Sequence, residues 1–135
     1  MSFRIVGLLA TIVLTSSVAY AGDVKVTLSG AEEVPPVTTS ASGSGTITVN
    51  DDKTVSGSIT TKGVVGIAAH IHNAAPGKNG PPIIPLTKEG DDKWSVPADA
   101  KLTDEQYAAF KAGNLYVNVH SAANKPGEIR GQLKP

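Results

Sequence analysis

The sequence predicts an all-β domain, an antiparallel β-sandwich carrying one short helix. Three observations lead there. Apolar and polar residues alternate over short runs, as in Val24-Lys25-Val26-Thr27-Leu28 and Leu115-Tyr116-Val117-Asn118-Val119-His120, which is the period of a strand with one face on a core. Stretches rich in Gly, Pro, Ser and Asp separate these runs, as turns between strands require. Strand and helix patterns do not alternate regularly, so a parallel βα architecture is excluded.

The chain opens MSFRIVGLLATIVLTSSVAYAGDV. Arg4 supplies a positive start, Ile5 to Val18 is apolar apart from small hydroxyl residues, and Ala19-Tyr20-Ala21 has the A-x-A form of a cleavage site. This is the layout of a secretory signal peptide. The apolar run is short against the roughly 20 residues of a membrane span, and no cysteine follows it to carry a lipid. The expectation is a signal peptide at residues 1–21, one domain at residues 22–135, a periplasmic or secreted location, and no membrane association after cleavage.

Composition narrows the chemistry. The 135 residues carry 12 basic and 12 acidic side chains, with no basic patch, so nucleic acid is excluded as a partner. There is no cysteine, and the single methionine is Met1, lost with the signal. Iron–sulfur clusters, thiolate zinc sites and methionine-rich copper(I) carriers are thereby excluded.

The elements follow in order. Val24 to Leu28 is a half-buried strand. SGAEEVPPVTTSASGSG reads as a loop by its paired prolines and repeated Gly and Ser. Thr46–Val49 and Thr54–Thr60 are strands joined through Asn50-Asp51-Asp52-Lys53 as a hairpin. Ala68 to Asn73 is the next strand, and AAPGKNGPPIIPL is a loop holding only short extended pieces. Gly90-Asp91-Asp92 precedes a short strand at Trp94-Ser95-Val96. A helix is expected near 103–112: Thr103 and Gln106 have capping-box spacing, two acids occupy the first turn, and Gly113 stands just past the end. Leu102, Tyr107 and Phe110 would tether it. Leu115–His120 and Glu128–Leu133 close the chain as strands.

Two of the three histidines stand in GIAAHIHN, residues 66–73. Side chains at i and i+2 share a strand face, so His70 and His72 point one way and Ala69 and Ile71 point to the core. His120 lies on the corresponding non-core face of its own strand, with Tyr116 and Asn118. If the two strands are neighbours, three imidazoles meet, and neutral imidazole suits copper and zinc. The plainer alternative is that the histidines are solvated or only hydrogen-bond a loop.

Other chemistries find less support. No G-x-S-x-G context accompanies the serines. Glu32 and Glu33 are adjacent on an extended chain, point to opposite faces, and read as solvated loop charges. Asp51-Asp52 and Asp91-Asp92 belong to turns and lack the ligand spacing of a calcium loop. PGKNG lacks the strand–loop–helix setting of a phosphate loop. Trp94 reads as a core residue. No catalytic residue is marked.

The stretches LSGAEEVPPV, AAHIHNAAPGKNGPPI and LTDEQYAAFKAGNLYVNVHSAANKPGEIRGQL occur in this order and span nearly all of residues 24–133. Together they resemble the CHRD domain, named after chordin and also found singly in exported bacterial proteins. The resemblance implies a secreted β-sandwich module. AAHIHNAAPGKNG and LYVNVHSAANKPGEIRG also resemble, less closely, the histidine strands of copper–zinc superoxide dismutase. That resemblance implies an immunoglobulin-like Greek-key fold and copper-type ligands at His70, His72 and His120. It also gives Arg130 as the counterpart of an arginine near the C-terminus of that family; Glu128 and Gln132 share the strand face of Arg130, and Asn118 shares that of His120, so Arg130, Glu128 and Asn118 are expected near the site. No histidine lies between His72 and His120, so the bridging and zinc ligands are missing, and a full copper–zinc enzyme is not expected.

The resulting expectation is an exported domain that binds one metal ion, copper ahead of zinc, for metal binding or copper tolerance, with redox chemistry open to it if the ion keeps an open position. The alternative is a non-catalytic interaction module working through the loops around Val34-Pro35-Pro36-Val37 and residues 76–85.

Overall fold

The computed structural model describes residues 22–135 and, of the segment before them, residue 12 alone, so the expected signal peptide lies outside the described residues. Nine strands and one helix follow one another: β1 (Asp23–Ser29), β2 (Ser42–Val49), β3 (Val55–Lys62), β4 (Gly66–Asn73), β5 (Pro82–Pro85), β6 (Thr87–Lys88), β7 (Lys93–Ser95), α1 (Asp104–Lys111), β8 (Leu115–Ser121) and β9 (Ile129–Leu133). Every pairing among these strands is antiparallel. The all-β expectation holds.

The strands form one continuous sheet in the order β5-β4-β8-β9-β1-β2-β3-β7-β6, where the sequence suggested two packed sheets. The chain itself explains the shape. β5 and β6 are separated only by Leu86, yet they stand at opposite ends of the sheet. The sheet therefore has to curl until its ends nearly meet. Leu86 N donates to Ala69 O at 2.9 Å, Lys88 Nζ donates to Gly66 O at 3.0 Å, and the Trp94 ring fills the space where a side chain on Gly66 would sit. Inside the curl lies the core. Leu28, Ile47, Ile59, Ile71, Val117 and Ile129 are each no more than 1% exposed, and each belongs to the apolar face of its strand.

β2 begins at Ser42, earlier than its composition implies. Its glycines are a packing requirement: a Cβ on Gly45 would collide with the backbone of Ser58 and Ile59 on β3. α1 has the expected capping box, with Gln106 N donating to Thr103 Oγ1 at 3.2 Å and Thr103 N donating to Gln106 Oε1 at 2.9 Å. It ends at Gly113, φ +79°, with Gly113 N donating to Phe110 O and Asn114 N to Ala109 O, the two bonds of a Schellman ending. Phe110 and Leu102 are buried.

The outer face of β4, β8 and β9 is not the solvated face a half-buried strand would have. Tyr116, Asn118 and Arg130 point outward and are 1%, 3% and 2% exposed. The loops of residues 30–41, 74–81 and 122–128 cover them, making a second, polar layer.

Candidate metal centre

β4 and β8 are neighbours, as the convergence of three histidines requires. Their register sets Ala68 opposite His120, His70 opposite Asn118, and His72 opposite Tyr116. His70 is thus diagonal to His120, within side-chain reach. A register shift between Ile71 and His72 on the β5 side marks a bulge, a common device for re-aiming a side chain.

The three rings form a nearly equilateral triangle, with centroids 5.0 Å apart for His70–His120, 5.5 Å for His70–His72 and 5.6 Å for His72–His120. One nitrogen from each lies within 4.8 Å of the other two. Three nitrogens held tetrahedrally at 2.0–2.1 Å stand about 3.4 Å apart, so the widest pair would close by up to roughly 1.4 Å.

Hydrogen bonds fix which nitrogens are free. His72 Nδ1 donates to Gly80 O at 2.9 Å. His120 Nδ1 donates to Lys125 O at 2.8 Å. A carbonyl oxygen only accepts, so both rings carry hydrogen on Nδ1 and a lone pair on Nε2. His120 Nε2 accepts from His70 Nδ1 at 3.1 Å. His72 Nε2 is buried and has no hydrogen-bond partner among the described residues. A carbonyl behind a ligand histidine is the usual device for fixing tautomer and ring orientation, and two of these three histidines have one.

The electrostatics favour neutral rings at His70 and His72. Burial holds His72 below the ordinary imidazole value; His120, His70 and Arg130 add to the lowering, and the bond to Gly80 opposes it. Burial also lowers His70, with His120 contributing. Neutral imidazole is the form that binds metal.

The surroundings are built around Tyr116. His72 stacks on its ring at 4.9 Å and 15°, and the Arg130 guanidinium lies 3.5 Å from the ring centroid. Gly80 N donates to Tyr116 Oη at 3.1 Å. Arg130 donates to Asn79 Oδ1 at 3.3 Å, and to Ala75 O and Gln132 Oε1 at 3.4 Å each. It therefore holds the loop that covers His72. Asn118 Nδ2 donates to Pro126 O at 3.2 Å, next to the Lys125 carbonyl that orients His120. Glu128 accepts from Ser121, Asn124 and Thr39 at 2.7, 3.3 and 2.9 Å. Burial pushes its carboxyl up, but these three bonds outweigh burial and hold it below the ordinary value. Among the described residues its carboxylate bonds go to Ser121 at the end of β8 and to Asn124 and Thr39 in loops, none to the histidines.

Two residues of this region have contacts that their sequence positions do not show. Tyr116 was legible as four residues before His120 on the same strand face, but its contacts on His72 and Arg130 depend on neighbouring strands. Glu33 is a correction. It is 5% exposed, not a solvated loop charge, whereas Glu32 is exposed. The turn of residues 30–32 doubles the chain back, with Glu33 N and Val37 N both donating to Gly30 O at 3.1 and 2.9 Å, and this turns Glu33 inward.

Among curated proteins and solved structures, none matches the chain. The sequence pattern of the CHRD domain matches residues 24–133, nearly the whole length, and the chain belongs to the CHRD-domain family.

Proposed function

We propose that this CHRD domain is exported and binds a single metal ion, copper ahead of zinc, through His70 Nδ1, His72 Nε2 and His120 Nε2. The observation that carries the proposal is the orphaned His72 Nε2, buried beside two other imidazoles. A buried acceptor without a partner costs about 1–3 kcal/mol, and an ion at that point satisfies it. A purely structural role, in which the histidines only pin the covering loops, accounts for the His72–Gly80 and His120–Lys125 bonds but leaves this nitrogen unexplained. Three nitrogen donors without thiolate or carboxylate support copper(II) ahead of zinc by intrinsic affinity. The bond between His70 and His120 holds a hydrogen where the ion would sit. Its replacement requires only that His70 move its proton to Nε2.

The test is metal content. Protein loaded with copper(II) or zinc(II) and desalted should retain one ion per chain, and the His70/His72/His120 triple alanine variant none. Each single alanine variant should lose more affinity than the roughly 10–100-fold typical of residues that only support ligands. Equal retention by wild type and triple variant would overturn the proposal.

A further inference from the structure

Glu33 and Asn118 meet over Gly127. A Cβ on Gly127 (φ +137°) would lie within 2.6 Å of both Glu33 Oε1 and the Asn118 amide, so only glycine leaves that space to them. Glu33 Oε1 and Asn118 Oδ1 are buried, and neither has a hydrogen-bond partner among the described residues. Turning the amide over does not help. Its Nδ2 is committed to Pro126 O, and the reverse orientation would set Oδ1 against that carbonyl. An ionised carboxylate here would set one acceptor against another with no hydrogen to share.

We propose that Glu33 is a neutral carboxylic acid in the folded protein and donates its proton to Asn118 Oδ1, so that one buried proton latches the loop of residues 30–41 to β8 and to the turn at Gly127. The charges around it agree. Burial pushes the Glu33 carboxyl up to about 7, and the opposing attraction comes from Arg130 on β9. Arg130 directs its own hydrogen bonds to Asn79, Ala75 and Gln132 rather than to Glu33. Glu32, the adjacent acid, is exposed, and the Glu128 carboxylate is taken by Ser121, Asn124 and Thr39. The latch is therefore closed in mild acid and opens as the pH rises through about 7. Opening stays local, because Thr39 remains bonded to Glu128 and Asn79 Nδ2 to Val34 O. Loss of the proton would release the Glu33 side chain, while the Asn79–Val34 and Val37–Gly30 bonds keep the segment on the sheet. The inference does not depend on the metal reading.

The sign follows from linkage. A carboxyl raised in the folded state stabilises the fold most below its ordinary value, and that contribution is lost as pH rises through the folded value. The test uses metal-free protein. Carbon NMR of the side-chain carboxyls should show Glu33 titrating near 7 against an ordinary value of 4.5, and the Asn118 side-chain amide signals should move with the same midpoint. Glu33→Gln, which donates at every pH, should melt above wild type at pH 8 and near it at pH 5. Titration of Glu33 at or below about 5, or an Asn118 amide indifferent to it, would overturn the latch on wild-type protein alone, even if the variant did not fold.

Discussion

His72 shows how one side chain can serve both fold and site. It is 7% exposed, stacked on Tyr116 and bonded to Gly80 O, whereas His70 is half-buried and bonded to His120. Both are expected to be ligands, but their removal should differ in the metal-free protein. His72→Ala loses a stack and leaves a cavity, and should cost about 1–3 kcal/mol in urea unfolding, while His70→Ala should cost clearly less. The pH dependence separates them from ordinary histidines. Both are held below the usual imidazole value in the folded state, so the unfolded chain takes up protons at about 6.5 while the folded chain stays neutral. Their contribution is fully present above that pH and is lost as the pH falls towards the folded values. Glu33 acts with the opposite sign over part of this range, so the comparison is between wild type and the His70→Ala/His72→Ala variant at each pH. Unfolding free energies at pH 7.5 and 5.5 should fall further in wild type, and equal falls would contradict neutral burial of the rings.

At the scale of elements, what was legible in the sequence is what alternation and capping encode. The faces of β4 and β8, hence the common side of His70, His72 and His120, follow from period two alone. Thr103, Gln106 and Gly113 announced both ends of α1. What was not legible depends on neighbours distant in sequence. Ser42 to Gly45 looks like loop because glycine and serine dominate it, yet β3 packs so closely that the strand needs the missing Cβ atoms. Tyr116 and Asn118 sit on what reads as a polar, solvated face because the loops that bury them leave no mark in the strand pattern. The same dependence gives a testable contrast. Thr103→Ala removes one capping bond and should cost about 1 kcal/mol. Gly57→Ala meets both a φ of +125° and the carbonyl of Thr46 on β2, and should cost more than the cap in thermal or urea unfolding. If the cap proved the costlier change, the close contact of β2 and β3 would be wrong.

For the molecule as a whole, one curled sheet supports two interiors, an apolar one inside and a polar one beneath the loops, and Arg130 ties the second together. Its neighbours Ile129 and Gly131 belong to the inner side of β9, but its own side chain lies outward, 2% exposed, against the Tyr116 ring and three oxygen acceptors. Two of those acceptors, Asn79 and Ala75, belong to the loop over His72, and Asn79 Nδ2 in turn donates to Val34 O of the loop over Glu33. A guanidinium fits this place because it stacks on an aromatic face while its N–H groups reach several oxygens, which a lysine ammonium cannot do in the same plane. Arg130→Lys is therefore not a conservative change. It should release residues 74–81, seen as faster amide hydrogen exchange there, while β1, β2 and β3 keep wild-type protection. Exchange should quicken more modestly at residues 33–37, which are linked to Arg130 only through Asn79. Metal affinity should fall as well, because Gly80 O orients the His72 ring only while that loop stays down. Unchanged exchange at 74–81 in Arg130→Lys would mean that Tyr116 and His72 hold the loop without the guanidinium, and the polar layer would then be several independent contacts instead of one linked unit.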